Sequence, residues 1–181
     1  MAQGTAQGPL EILREIERSC MTHARDLPQQ VELAEEWSGI GFRLGDVRLL
    51  APLGEVVEVL TYPGLSRVPR TRSWVRGIAN VRGNLLPVMD LRAYLEGRAT
   101  TMTRTTRVLV VNHNGVFSGL VVDEVLGLRH FLNEEQVPEP PVRDGAIAEY
   151  LRHGFRRKDE HWGVFSMHSL AESPQFLQAA I

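Results

Sequence analysis

The chain has 181 residues, 43% of them hydrophobic, and a net charge of −2. Chains of this size bury roughly 70% of their unfolded surface, so this one needs no staple; it reads as one domain, or two small ones sharing a core, and not as a disordered chain. The near-neutral charge gives no general attraction to nucleic acid or anionic lipid, the single cysteine, Cys20, allows no internal disulfide, and no apolar run approaches the ~20 residues of a membrane-spanning helix.

Residues 1–8 are small and polar. Pro9 then stands where a helix favours its first residue, followed by LEILREIERSCMTHARDL. Leu13, Ile16 and Cys20, flanked by Ile12 and Met21, give a narrow apolar stripe. Glu11, Arg14, Glu15, Glu17 and Arg18 interrupt it, so it is no signal peptide, and a cytoplasmic location is expected. Leu27–Pro28 should end the helix, with a shorter helical piece, QQVELAEEW, after it.

From Trp37 the period becomes two. Ile40, Phe42 and Leu44 alternate with Gly41 and Arg43, and Gly45-Asp46 reverses the chain into Val47–Leu53, which together predict a hairpin. Val56, Val57 and Val59 around Glu58 predict another strand. Pro63-Gly64 and Pro69 mark a loop. Ile78–Arg82 and Leu85–Met89 flank Gly83-Asn84, read as a type II′ turn with glycine first. A helical turn, LRAYLEG, ends at Gly97.

A third hairpin is expected from Arg107–Val111 and Val116–Val122 around Asn112-His113-Asn114-Gly115. Glu124–Leu132 reads as extended, PEPP at 138–141 as a stiff loop, Ala146–Leu151 as a helical turn, and Trp162–Met167 as the last strand. The tail from Ser173 is helical or loose. Short strands without crossover helices predict antiparallel barrels or a sandwich. An internal echo, RLGDVRLLAPLGEVVEVL against VNHNGVFSGLVVDEVLGL, suggests duplication.

Residues that could do chemistry are sparse. The six histidines are scattered without HxxxH, HExxH or CxxC spacing, so no metal or cofactor is expected. His161 and His168 could meet in space, although solvated surface histidines are the simpler reading. No G-x-S-x-G elbow or phosphate-binding glycine loop occurs. Asp90 and Asp123 each end an apolar strand. Paired carboxylates can share a proton, but the residues that follow favour acids that cap turns at strand exits.

Arg67, Arg70, Arg72, Arg76 and Arg82 cluster around Trp74. Such a surface suits a solvated basic face or a protein partner, with single-stranded nucleic acid on a small barrel as the alternative function.

The segment VPRTRSWVRGIANVRGNLLPVMDLRAYL resembles the signature of the CheW family of chemotaxis coupling proteins. Val68-Pro69, Gly77, Asn80, Arg82, Gly83, Pro87, Asp90 and Leu91 stand at the signature positions. EVVEVL resembles the family's acid-containing strand, with Glu58 as the acid. RVLVVNHNGVFSGLVVDEVLGL matches a later pattern through Gly119, Val122, Asp123, Val125 and Gly127. The resemblance covers about residues 36–170.

It implies a mainly β fold of two SH3-like five-stranded β-barrels packed together, with an N-terminal helical extension. The expected boundaries are 1–35 for the extension, 36–173 for the CheW-like domain and 174–181 for a tail. The implied function is a non-catalytic adaptor. Its partners are the cytoplasmic tip of a methyl-accepting chemoreceptor and the regulatory domain of a CheA-like histidine kinase, with no nucleic acid and no direct membrane insertion. Partner-binding residues carried over are Val57, Glu58, Gly77, Asn80, Arg82, Gly83 and Asp90, with Glu58 or Asp90 as the acid for a forked pair with Arg82.

Two departures are visible. Relatives often carry an acid after the last apolar strand, where this chain reads Val164-Phe165-Ser166-Met167-His168. The N-terminal extension is similar to the PilI type of coupling protein, which serves the chemotaxis-like system controlling type IV pili and twitching motility.

Overall fold

Apolar residues in unbroken runs, such as Val108–Val111 and Leu120–Val122, mean strands covered on both faces. That arrangement organises the molecule. The computed structural model describes residues 36–179, together with 8, 10, 11, 13–15, 17 and 18. Met1–Leu33 and Ala34–Ile181 form separate units. In the first, residues 10, 11, 13–15, 17 and 18 are helical, as Pro9 predicts. Ile12, Ile16, Cys20, Met21, the Leu27–Pro28 stop and residues 29–35 lie outside the described residues. Glu36 and Trp37, expected at the end of a helical piece, begin the first strand instead.

Among the described residues, eleven strands form two curled sheets. They are β1 (Glu36–Leu44), β2 (Val47–Pro52), β3 (Glu58–Thr61), β4 (Val75–Val81), β5 (Asn84–Asp90), β6 (Arg107–His113), β7 (Val116–Val122), β8 (Glu124–Leu132), β9 (Gln136–Val137), β10 (Leu151–Arg157) and β11 (Glu160–Phe165). One sheet runs β8-β1-β2-β11-β10-β9 and the other β3-β6-β7-β5-β4. Helix α1 (Leu91–Glu96) follows β5, and helices α2 (Met167–Glu172) and α3 (Pro174–Leu177) follow β11.

The internal echo has a counterpart in this topology. β1–β2 and β6–β7 are antiparallel hairpins, and in each case the next strand crosses to the other hairpin: β3 pairs with β6, and β8 with β1. Each sheet is then extended by a parallel pair, β5 with β7 and β11 with β2. A capped helix leaves β5 and β11 alike: Asp90 accepts from the Ala93 amide, and Ser166 from the Ser169 amide.

Alternate side chains of one strand serve different cores. Leu109, Val111, Leu120 and Val122 face the main core, where Phe42, Leu44 and Leu49 of the other sheet meet them together with Leu91, Leu95, Phe165 and Leu170. Val108, Val110 and Val121 point the other way, to Leu86 and Val88 inside the five-stranded sheet. The six-stranded sheet encloses Leu50, Phe131, Phe155, Trp162 and Val164. Full burial of such a side chain contributes roughly 1.5–3 kcal/mol.

Several local expectations are corrected. The β4–β5 connection is Arg82-Gly83, with φ of 52° and 86°, and Val81 pairs with Asn84. Two left-handed residues make this a type I′ turn, not a type II′ turn at Gly83-Asn84. The β6–β7 turn is likewise only Asn114-Gly115, because Asn112 and His113 stay in the strand. β9 and β10 were not expected. Met167 starts a helix in place of ending a strand, since the Ser166 hydroxyl caps it. The tail is helical at Pro174–Leu177, and Phe176 is buried in the main core.

Candidate partner-binding site

The β4–β5 hairpin is fastened at its base. Gly77 sits at a register shift in β4 with φ of 142°, and a Cβ there would lie 2.4 Å from the Ser66 carbonyl oxygen. Glycine is required because Ser66 and Ile78 exchange backbone hydrogen bonds of 2.9 Å, drawing the β3–β4 connection against the strand. At the tip, the Asn80 side-chain oxygen accepts from the Gly83 amide at 2.9 Å. That bond helps hold Arg82 in its left-handed conformation, which costs a side-chain-bearing residue roughly 1–2 kcal/mol.

From there the Arg82 guanidinium donates to Glu58 Oε1 at 2.7 Å, its own side chain 78% exposed and that of Glu58 29%. Val57, beside Glu58 in the chain, and Leu85, opposite Asn80, are apolar and exposed. Val57 is fixed by its amide, which donates to the Val110 carbonyl. Glu58 is therefore the acid that answers Arg82.

Asp90 serves a different arginine. Its side chain is completely buried, and Arg76 donates to Oδ2 through Nε and Nη2. The Thr100 amide also reaches Oδ2, while the Ala93 amide and the Thr100 hydroxyl reach Oδ1. Five donors saturate the carboxylate. Asp90, carried over as a partner-binding residue, is held inside the fold, where it ties β4, α1 and the Thr100 segment together. Asp123 accepts from the Gly45 amide at 2.7 Å, as a turn acid should. Neither carboxylate has the pairing that shared-proton chemistry needs.

Trp74 is no platform for a base. It stacks on Phe176 with centroids 5.8 Å apart and meets the Tyr94 edge at 5.2 Å. The Tyr94 hydroxyl lies 2.9 Å from that of Tyr150 and 3.0 Å from that of Ser173. Burial, more than any neighbour, pushes the Tyr94 phenol up to about 12; the Ser173 hydrogen bond pulls the other way and the Tyr150 hydroxyl adds to the rise.

A histidine pair was missed. His113 and His168 stack with centroids 3.8 Å apart. His113 Nε2 lies 2.7 Å from Glu172 Oε1, and His168 Nδ1 lies 3.8 Å from Glu55 Oε1. The His113 hydrogen bond is the main reason the Glu172 carboxyl titrates below its ordinary value. His161 meets the Glu139 carbonyl instead of His168. Nothing in the local spacing joins His113 to His168; only the topology brings α2 beside the β6–β7 turn. Among the described residues, no group of three or more His, Cys, Asp or Glu could hold a metal ion, and no helix is long and apolar enough to cross a membrane.

Residues 38–175 match the model of the CheW-like domain. The chain is 42% identical to Protein PilI of Pseudomonas aeruginosa over 97% of its length and 98% of that protein. It is 39% identical to Protein FrzA of Myxococcus xanthus over 61% of this chain and 68% of the relative. The crystal structure of the scaffolding protein TtCheW from Thermoanaerobacter tengcongensis aligns with a TM-score of 0.67 at 23% identity, covering 78% of this chain and 96% of that one. At that identity the likeness shows the fold, two SH3-like barrels.

Proposed function

The chain belongs to the family of CheW-like domains, and from that premise we propose that it is a non-catalytic adaptor coupling a methyl-accepting chemoreceptor to a CheA-like histidine kinase. We propose further that its array controls type IV pili and twitching motility. The protein is then cytoplasmic and recruited to receptors without entering the membrane itself. The finer reading rests on the alignment with Protein PilI, which runs over 175 residues, exceeds the matched domain and so takes in part of the N-terminal extension.

One observation carries the adaptor reading. The Glu58–Arg82 pair is displayed, largely exposed, on a hairpin whose base is rigid, with Val57 and Leu85 as apolar neighbours. Arginine beside exposed apolar side chains is the composition of an interface anchor. Gly77, Asn80 and Gly83 act by shaping this hairpin, and Asp90 by holding it from behind.

Titrating the purified protein with the kinase regulatory domain tests the proposal. Saturable binding in the micromolar range or tighter is expected, weakened at least tenfold by Arg82→Ala with the melting temperature within a few degrees of wild type. Absence of association at high micromolar concentration would sink it. For the output, deleting the gene should abolish twitching, restored by the wild-type chain and not by the Arg82→Ala variant; normal twitching in the deletion strain removes the pilus assignment alone.

A further inference from the structure

The arginines before the hairpin have no part in that surface. The connection from β3 to β4 folds into a cleft of about 410 Å³ lined by Arg67, Arg72 and Arg76 together with Tyr62, Leu65 and Val68, and among the described residues no carboxylate lines it. Arg76 is neutralised by Asp90. Arg67 and Arg72 make no ion pair among the described residues. Guanidiniums gathered around a concave space focus a positive potential into it.

We propose that this cleft is a docking site for a short acidic and partly apolar segment of a partner protein. Carboxylates match the planar guanidinium forks of Arg67 and Arg72, and the Ser73 hydroxyl adds a hydrogen-bonding group to the lining, that of Thr71 being donated to the Val68 carbonyl. The exposed rims of Tyr62 and Val68, with Leu65 below, accept an apolar residue next to the acids. A bare phosphate would leave that apolar wall uncovered. A single-stranded nucleic acid needs successive aromatic faces, and Trp74 is occupied by Phe176 and Tyr94. This site is separate from the Glu58–Arg82 surface and does not depend on the receptor–kinase reading.

The test uses the full chain on an array of heptapeptides whose glutamate and aspartate content runs from none to four, with one leucine moved along the sequence. The best peptide is then titrated in solution by NMR. Binding should rise with acid content, fall as salt is added, and shift the amide resonances of residues 62–76. Arg67→Ala/Arg72→Ala should weaken it at least tenfold, whereas the exposed Arg98→Ala/Arg104→Ala control should keep it. Signal independent of acid content, shifts centred elsewhere, an equal loss in the control, or tighter binding of a single-stranded oligonucleotide at the same residues each overturn the proposal. The resonance mapping stands on the wild-type chain, so a poorly folded variant does not blunt it.

Discussion

The β4–β5 hairpin carries two arginine–carboxylate pairs of the same chemistry in opposite surroundings. Arg76–Asp90 lies at the base, with the arginine 28% exposed and the aspartate fully buried. Arg82–Glu58 lies at the tip, 78% and 29% exposed. A buried carboxylate must have its lone pairs filled, and removing one partner leaves a charge with nowhere to go. An exposed pair sits in a high dielectric, contributes roughly 0–1 kcal/mol, and can trade its partner for one on another protein at little cost. The base therefore fixes shape, and the tip, on the proposed function, is the part that engages a partner.

The largest effect expected from this difference is at Asp90. Asp90→Ala strands Arg76, uncaps α1 and leaves the Thr100 amide and hydroxyl unanswered. Breaking a buried pair costs about 3–5 kcal/mol, and partial exposure of Arg76 places this case near the lower end. Urea denaturation should show a loss of about 3 kcal/mol. A loss below 1 kcal/mol would erase the distinction between base and tip.

The two glycines of the hairpin extend the same contrast. Gly77→Ala forces a Cβ to within 2.4 Å of the Ser66 oxygen at φ of 142°, whereas a Cβ on Gly83, at φ of 86°, meets nothing within 4 Å. The first substitution is expected to cost about 2–3 kcal/mol and the second about 1 kcal/mol, the residue of backbone strain alone. Thermal melts of the two variants side by side check the order; reversal would mean that the base can relax around a new methyl group.

These pairings separate what the local sequence encodes from what only the fold brings together. The hairpins were legible because period-two apolar runs flank turn residues, and the alternation at Ile40, Phe42 and Leu44 carries directly into β1. The turn type was not, because it depends on Arg82 accepting a left-handed conformation with help from the Asn80 side chain. β10 was hidden because LRHGFRR breaks alternation with a bulge and charged residues. Glu58 and Asp90 were both open as the acid for Arg82. Choosing between them needs the crossover that places β3 and the hairpin in one sheet, and no local pattern encodes it. The hairpin was legible as a motif, while which acid answers which arginine became visible only with the sheet pairing and burial.

A third pair falls between the extremes. Arg157 of β10 donates through Nε and Nη2 to Glu135, 45% and 21% exposed, and its Nη2 also reaches the His130 carbonyl on the edge strand β8. It covers the Phe131 ring at 4.5 Å. The Arg157 hydrogen bond is the chief reason the Glu135 carboxyl falls from 4.5 to about 2. A lowered folded-state pKa means stability that is present above the ordinary carboxylate range and lost as pH drops from 4.5 toward 2. Arg157→Ala should cost about 1–2 kcal/mol at neutral pH through the lost pair and ring contact. The gap to wild type should narrow as pH falls from 4.5 toward 2. A gap independent of pH would assign the whole effect to packing.

The smallest expected effect is the most informative for function. Arg82→Ala, Glu58→Ala and the double variant form a cycle whose stability coupling should lie at roughly 0.2–1 kcal/mol, as for other exposed pairs. Each single variant should melt within a few degrees of wild type, because Asn80 still caps the turn through Gly83 and the hairpin base is untouched. Binding of the kinase regulatory domain should respond far more strongly than stability to Arg82→Ala, since an arginine that anchors an interface contributes there in a desolvated setting. If the coupling instead exceeds 2 kcal/mol, the pair is structural like Arg76–Asp90. Loss of binding could then be no more than loss of hairpin geometry, and the tip would have no claim to being the free partner surface.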